Sequence, residues 1–353
     1  MVMWESNVRK VVPYVPGEQP KISKLIKLNT NENPYPPSPR VSERLSNLNV
    51  SDFRKYPAPD CEILREALAK KYNLETDNVF VGVGSDDVLA VAFLTYFNSK
   101  KPILFPDVTY SFYDVWADTF NIPYETIPLN EDFSINPGDY FKENGGVVIA
   151  NPNAPTGLYL GIDGIEAVLA ANPDSVVIVD EAYIDFGGES ALKFIDKYEN
   201  LLVVQTFSKS RSMAGMRIGF AMGCKKIIKY LSDVKFSINS YTMNMPSLEL
   251  GVLAVEDDEY FVSCCKKVIS TREWTKGELA RLGFTFPDSM TNFIFVKYNG
   301  DKSRDHIAAE LRKRGIIVRC FNSDRTKEYM RISIGTDDEM KTLISALEEI
   351  LYA

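Results

Sequence analysis

The sequence predicts an α/β fold: a mostly parallel central sheet covered by helices on both faces, joined to a small α+β domain. Three observations carry this. Short apolar runs alternate with segments of helical period, the pattern of strand–helix–strand crossovers. The runs Gly146-Val147-Val148-Ile149-Ala150, Ser175-Val176-Val177-Ile178-Val179 and Leu201-Leu202-Val203-Val204 carry almost no polar position, as strands buried on both faces require. At 353 residues the chain also exceeds the usual size of one domain.

Taken in order, the first stretch, to about Pro59, is rich in proline and asparagine. Asn31-Glu32-Asn33-Pro34-Tyr35-Pro36-Pro37-Ser38-Pro39 cannot be a helix interior and reads as an extended arm. From Asp60, Ile63, Leu64, Ala67, Leu68 and Tyr72 recur at helical spacing. Val79-Phe80-Val81 predicts a strand leading into a helix from Asp86 to Phe97, and Pro102-Ile103-Leu104-Phe105 a second strand. A helix from Ile162 to Ala171 precedes the strand that ends at Asp180; Arg217-Ile218-Gly219-Phe220-Ala221 suits an antiparallel strand. A long helix from Ser247 to Arg281 would link domains. Beyond it, Asn292-Phe293-Ile294-Phe295-Val296, a helix from Ser303 to Arg314, Gly315-Ile316-Ile317-Val318-Arg319, Met330-Arg331-Ile332-Ser333-Ile334 and a final amphipathic helix read as the small domain. The expected division is an arm over residues 1–45, a large domain over 46–245, and a linker helix with the small domain over 246–353.

Composition excludes several classes. A net charge of -8 argues against a nucleic-acid footprint, which needs clustered Lys and Arg. Five cysteines without a CxxC pair predict a reduced, intracellular protein. With one histidine, His306, in a surface-helix pattern, structural zinc and His-dependent hydrolase triads are not expected, nor is any metal. No basic stretch followed by an apolar core marks a signal peptide, and no apolar run approaches the roughly 20 residues that span a bilayer. The expected location is the cytoplasm.

The chemistry sits where strands end. In open α/β sheets ligands bind beyond the carboxyl ends of the strands. Asp180 closes one strand and is followed by Tyr183; Lys209 follows another within Thr206-Phe207-Ser208-Lys209, and Arg217 comes eight residues later. Taken singly, Lys209 reads as a solvated loop lysine, and Asp180 and Tyr183 suit structural roles as readily as functional ones. Gly82-Val83-Gly84-Ser85-Asp86-Asp87 suits either a strand-to-helix turn capped by Ser85 or Asp86, or a phosphate cradle of backbone N–H groups. Together, an ordered lysine, aspartate, tyrosine and arginine are the groups needed to hold pyridoxal phosphate. Lys209 can form the Schiff base, Asp180 can keep the pyridine nitrogen protonated, Tyr183 can reach the ring oxygen, and Arg217 with Thr206 and Ser208 can take the phosphate.

On these residues the chain resembles the aspartate aminotransferase superfamily of pyridoxal-phosphate enzymes (fold type I), and within it the histidinol-phosphate aminotransferases. The likeness runs through Asn7-Val8-Arg9-Lys10-Val11-Val12-Pro13-Tyr14, Leu28-Asn29-Thr30-Asn31-Glu32-Asn33-Pro34-Tyr35, Tyr56-Pro57, Gly84-Ser85-Asp86, Thr109-Tyr110-Ser111, Asp180-Glu181-Ala182-Tyr183, Ser208-Lys209 with Arg217, and Arg331-Ile332-Ser333-Ile334-Gly335. It implies the three-layer PLP-transferase fold, with the small domain built from the carboxy-terminal part and the arm. It also implies transamination between L-histidinol phosphate and 2-oxoglutarate in histidine biosynthesis, and a homodimer with shared sites. Tyr110 would stack on the ring. Ser85, Asp86, Thr206, Ser208 and Arg217 would surround the phosphate, with Tyr56 reaching in from the neighbouring subunit. Arg331 would clamp a carboxylate, and Tyr14, Asn33 and Arg319 would lie near the substrate.

Two departures stand out. The family's usual Asn-Asn-Pro-Thr-Gly turn is Asn153-Ala154-Pro155-Thr156-Gly157 here, so the asparagine that bonds the ring oxygen is missing, and either Tyr183 would hold the oxygen without that partner, or Asn153 or a water would substitute. Cys320 stands where an aromatic residue commonly follows the arginine. Related readings are an aromatic aminotransferase or a threonine-phosphate decarboxylase; a reading of another class is a non-catalytic cofactor-binding regulator.

Overall fold

A computed structural model describes residues 3–20 and 25–352. Its strands are β1 (Ile26–Leu28), β2 (Val79–Gly82), β3 (Ile103–Pro106), β4 (Tyr124–Ile127), β5 (Gly146–Ala150), β6 (Val177–Asp180), β7 (Leu201–Thr206), β8 (Gly219–Gly223), β9 (Phe284–Thr285), β10 (Phe293–Tyr298), β11 (Ile316–Cys320) and β12 (Tyr329–Ser333). The helices are α1 (Pro39–Ser46), α2 (Glu62–Tyr72), α3 (Gly84–Tyr96), α4 (Tyr113–Phe120), α5 (Ile162–Ala171), α6 (Lys225–Ile238), α7 (Met245–Glu256), α8 (Asp258–Arg281), α9 (Arg304–Lys313) and α10 (Asp337–Tyr352).

The larger sheet has the order β2-β8-β7-β6-β5-β3-β4. Strand β8 pairs antiparallel with both β2 and β7, and every other pairing is parallel. Side chains alternate across the sheet. Val147, Ile149, Val177, Val179, Leu201 and Val203 join one apolar cluster, while Val148, Ala150, Ile178, Leu202 and Val204 join the cluster on the other face. Both faces are dry, which is why these strands are apolar at nearly every position. Each of the valine, leucine and isoleucine side chains contributes about 1.5–3 kcal/mol by leaving water.

The smaller sheet has the order β1-β11-β12-β10-β9. Strand β1, from the amino-terminal segment, lies parallel to β11; the other pairs are antiparallel. Helices α8, α9 and α10 bury Val268, Leu279, Ile307, Leu311, Leu343 and Leu347 against it. The first sixty residues are not wholly extended as expected. Ser38 caps α1 by accepting from the Arg40 N–H, and Pro39 takes the first helical position, where its missing N–H costs nothing. The long linking helix is also broken in two. Asp257 leaves the helical conformation (φ -89°, ψ 65°), and its carboxylate accepts from the Ser38 hydroxyl.

Candidate active site

Ala150, Asp180 and Thr206 end three neighbouring strands at one edge of the larger sheet. A cavity of about 180 Å³ opens there, walled by those residues with Thr30, Glu32, Ser85, Asp86, Tyr110, Pro152, Ala154, Ala182, Tyr183, Ser208, Lys209, Ala214 and Arg217. A second space of about 350 Å³ shares Thr30, Asp86, Tyr110, Ala154, Tyr183, Lys209 and Arg217 with it, and extends to Tyr14, Gln19, Asn29, Phe112, Arg319, Phe321 and Arg331.

One end of the cavity is built for an anion. Helix α3 starts at Gly84, so Ser85 and Asp86 lie within its first turn and neither caps it; Asp87 instead accepts from the Val83 N–H at 2.9 Å. The unpaired N–H groups of that turn and the helix dipole favour negative charge. Gly84 has φ +84°, and a Cβ there would meet Arg217 Nη2 at 2.5 Å. A Cβ on Gly219 would come within 2.2 Å of the Gly84 carbonyl carbon, so two glycines let strand, helix start and arginine converge. Ser208 Oγ lies 3.0 Å from Thr206 Oγ1. The Asp86 carboxylate cannot donate to an anion; it accepts from the Tyr110 hydroxyl at 2.7 Å and from Arg217 Nη2 at 3.3 Å, holding both in place.

Asp180 marks the cavity floor. Its carboxylate accepts from the Tyr113 hydroxyl at 2.8 Å and from the Ala182 N–H at 3.2 Å. Both partners are neutral, and burial pushes its carboxyl up to about 6. A cation placed against it would restore the ionised form.

Lys209 follows β7. Its ammonium donates to the Thr30 carbonyl at 3.2 Å and lies 5.7 Å from the centre of the Tyr183 ring. Tyr183 stacks edge-on against Phe293, and its hydroxyl oxygen accepts from Asn31 Nδ2 at 2.9 Å.

The outer space is rimmed by arginines. Arg331, on β12, donates to the Asn29 carbonyl at 3.2 Å and packs over Phe293 and Phe321, while its Nε is buried without a hydrogen-bond partner among the described residues. A desolvated guanidinium with spare donors suits a carboxylate. Arg319 donates to the Val15 and Pro16 carbonyls at 3.2 and 3.3 Å. Tyr14 stacks on Phe112 at 4.1 Å; burial raises its phenol against the pull of Arg319 and Arg331.

Two residues expected at the site are not brought to its walls, and a third, Tyr56, was expected only at a neighbouring subunit's site. Asn153 is buried with its amide committed: it donates to the Val108 carbonyl and Thr156 and accepts from Thr109, so it does not stand in at residue 154. Asn33 uses its amide to hold the Lys209 and Ser210 carbonyls at 3.1 and 3.2 Å and the Tyr35 N–H at 3.1 Å, steadying the lysine loop instead of facing a substrate. Tyr56 is exposed and packs on Tyr241, outside the cavity. Sequence reasoning missed Tyr113, Thr30, Glu32 and Asn31. Tyr113 carried no signal, being one aromatic among many; the other three lie in a segment already singled out, without roles.

The aminotransferase class I and II family model matches residues 23–347. The chain is 50% identical over 348 residues to histidinol-phosphate aminotransferase of Clostridium botulinum (strain Langeland), covering 99% of this chain and 98% of that protein. It is 51% identical to histidinol-phosphate aminotransferase of Clostridium acetobutylicum, covering 99% of each. Among solved structures, histidinol-phosphate aminotransferase from Sinorhizobium meliloti in complex with pyridoxal-5'-phosphate superposes with a TM-score of 0.85 at 23% identity, over 92% of this chain and 90% of that one.

Proposed function

The chain belongs to the class I and II aminotransferases, and from that premise we propose that it exchanges an amino group between L-histidinol phosphate and 2-oxoglutarate, using pyridoxal phosphate, in the synthesis of histidine. One observation carries the reading most: Lys209 and Asp180, from the ends of adjacent strands, line one cavity between an anion-holding end and a space rimmed by arginines.

The residues present fit the cofactor. A phosphate suits the first turn of α3, the Ser85, Thr206 and Ser208 hydroxyls and Arg217. A pyridinium N–H suits Asp180, a buried carboxylate with only neutral partners. An aldehyde requires an amine, and Lys209 is the lysine in the cavity wall. When bound, pyridoxal phosphate supplies an electron-withdrawing ring that takes up charge from the substrate's α-carbon and carries the amino group from one substrate to the next.

Asp180 would hold a proton on the ring nitrogen, and Tyr183 would donate to the ring oxygen. Tyr110 would pack against the ring, its hydroxyl fixed by Asp86. Lys209 would anchor the cofactor through its amine and, once displaced by the substrate's amine, would take the proton from the amine-bearing carbon of the substrate. Arg331 would bind the carboxylate of glutamate or 2-oxoglutarate. Tyr14 and Arg319 would meet the distal group, which for histidinol phosphate is imidazole or phosphate. Tyr56, exposed on this chain, would reach the phosphate of a second copy in a homodimer.

No helix among the described residues is long and apolar enough to cross a membrane, and the five cysteines are free thiols. Both suit an enzyme that works in the cytoplasm. The test is glutamate production from 2-oxoglutarate with L-histidinol phosphate as donor, beside phenylalanine and tyrosine. Preference for histidinol phosphate is expected. Preference for the aromatic amino acids would move the substrate elsewhere.

A further inference from the structure

The Tyr183 hydroxyl is fixed by a short hydrogen-bond chain that begins in the amino-terminal segment. The Asn31 backbone N–H donates to Ser333 Oγ at 2.9 Å. The Ser333 hydroxyl donates in turn to Asn31 Oδ1 at 2.9 Å. With Oδ1 the acceptor there, the other end of the amide is Nδ2, which donates to the Tyr183 oxygen at 2.9 Å. The Asn31 amide thus sits with Oδ1 on Ser333 and Nδ2 on Tyr183.

The consequence lies at the phenol. A hydroxyl has one proton, and Asn31 occupies one of its acceptor positions. The Tyr183 O–H therefore points away from Asn31, and Tyr183 lines the cavity. Asn31 is held against drift: it is 1% exposed, its backbone is left-handed at φ 58°, and its carbonyl accepts from Asn292 Nδ2 at 2.9 Å. Elsewhere in the same wall Ala154 presents a methyl group, with neither donor nor acceptor.

We propose that Asn31, acting through Tyr183, commits that phenol to donate into the cavity and so sets the protonation preference of the cofactor oxygen it faces. This rests on the pyridoxal-phosphate reading above. Asn31 is a positioning residue in this account. Its amide strengthens Tyr183 as a donor, because hydrogen bonds in series polarise one another, and a donor held on an oxygen favours the deprotonated form of the group bearing it. Charged and titratable groups from other elements also face Tyr183: Lys209 after β7, Arg331 on β12, Tyr14 in the arm and Tyr113 on α4. Lys209 and Arg331 donate to the nearby Thr30 and Asn29 carbonyls, so the Tyr183→Phe background is what separates an effect carried by the phenol from a shift of that backbone.

The test uses pyridoxal-phosphate-loaded parent protein, Asn31→Ala, Tyr183→Phe and the double variant, each titrated with pH while the cofactor's visible absorption is recorded. Asn31→Ala is expected to raise the midpoint by about 0.5 pH unit, the size one neutral hydrogen bond commands. In the Tyr183→Phe background the same change is expected to do nothing. No shift from Asn31→Ala, or equal shifts in both backgrounds, would overturn the proposal, since Asn31 would then act only by shaping the backbone. Ser333→Ala serves as a second variant should Asn31→Ala fold poorly, with a smaller upward shift expected and none overturning the proposal. A parent protein that gains no visible band with pyridoxal phosphate would overturn the cofactor reading instead, which keeps the two failures apart.

Discussion

The Tyr113 hydroxyl donates a 2.8 Å hydrogen bond to Oδ2 of Asp180, joining the first turn of α4 to the end of β6 beneath the cavity. Both side chains are buried, and burial, with the Asp180 carboxylate beside it, pushes the Tyr113 phenol well above its ordinary value. Tyr113 therefore stays protonated and remains a donor, so Asp180 is oriented without being neutralised.

Asp180 should make the cofactor-free protein less stable as pH rises. Its folded-state value is about 6, raised from 3.8 by burial. Between those values the folded protein keeps a proton that the unfolded chain has released, so the group's stabilisation is full below about pH 4 and is lost as pH passes about 6. In urea denaturation of the cofactor-free form, Asp180→Asn should flatten this part of the pH profile. Glu181, pushed up to about 7 by burial, should leave its own slope behind. With cofactor, the same variant should lose at least about 100-fold in kcat, as an electrostatic group at the reacting centre would.

Arg217→Gln should weaken pyridoxal phosphate binding about 10- to 100-fold, the loss expected for hydrogen bonds from a charged donor. Equilibrium dialysis measures this directly. An unchanged affinity would mean that the first turn of α3 and the hydroxyls hold the phosphate without the guanidinium.

Arg331→Gln separates the two substrates. Glutamate and 2-oxoglutarate carry an α-carboxylate and histidinol phosphate has none. The variant should lower kcat/KM for the dicarboxylates by about 30-fold or more, as loss of a buried charge partner implies, and affect histidinol phosphate less. Equal losses on both would assign Arg331 a structural role through Asn29 and the Phe293–Phe321 stack.

Much of this was legible in the sequence, for physical reasons. Strands such as β5 and β7, buried on both faces, have to be apolar throughout, and helices such as α5 keep a strict period. That Lys209, Asp180, Tyr183 and Arg217 meet at one cavity was legible because their order along the chain puts them at or beside the ends of neighbouring strands. Strand β4 was not legible: Tyr124-Glu125-Thr126 is exposed at the sheet edge, so burial imposes no pattern on it. Strand β1 was hidden in the proline-rich segment because its pairing with β11 is a contact across almost 300 residues. Asn33 and Asn153 lie in the segments named but outside the cavity walls. Both spend their amides on backbone and side-chain neighbours, a choice set by packing that spacing does not reveal. Tyr113 and Asn31 act only through partners far off in the chain, Asp180 and Tyr183.

The most direct test of the account is the visible absorption spectrum of the purified protein with pyridoxal phosphate, recorded as L-histidinol phosphate and then 2-oxoglutarate are added. The cofactor band should fade with the first addition and return with the second, each addition reporting one half of the amino-group exchange. A band that ignores histidinol phosphate, or none at all with added pyridoxal phosphate, would contradict it.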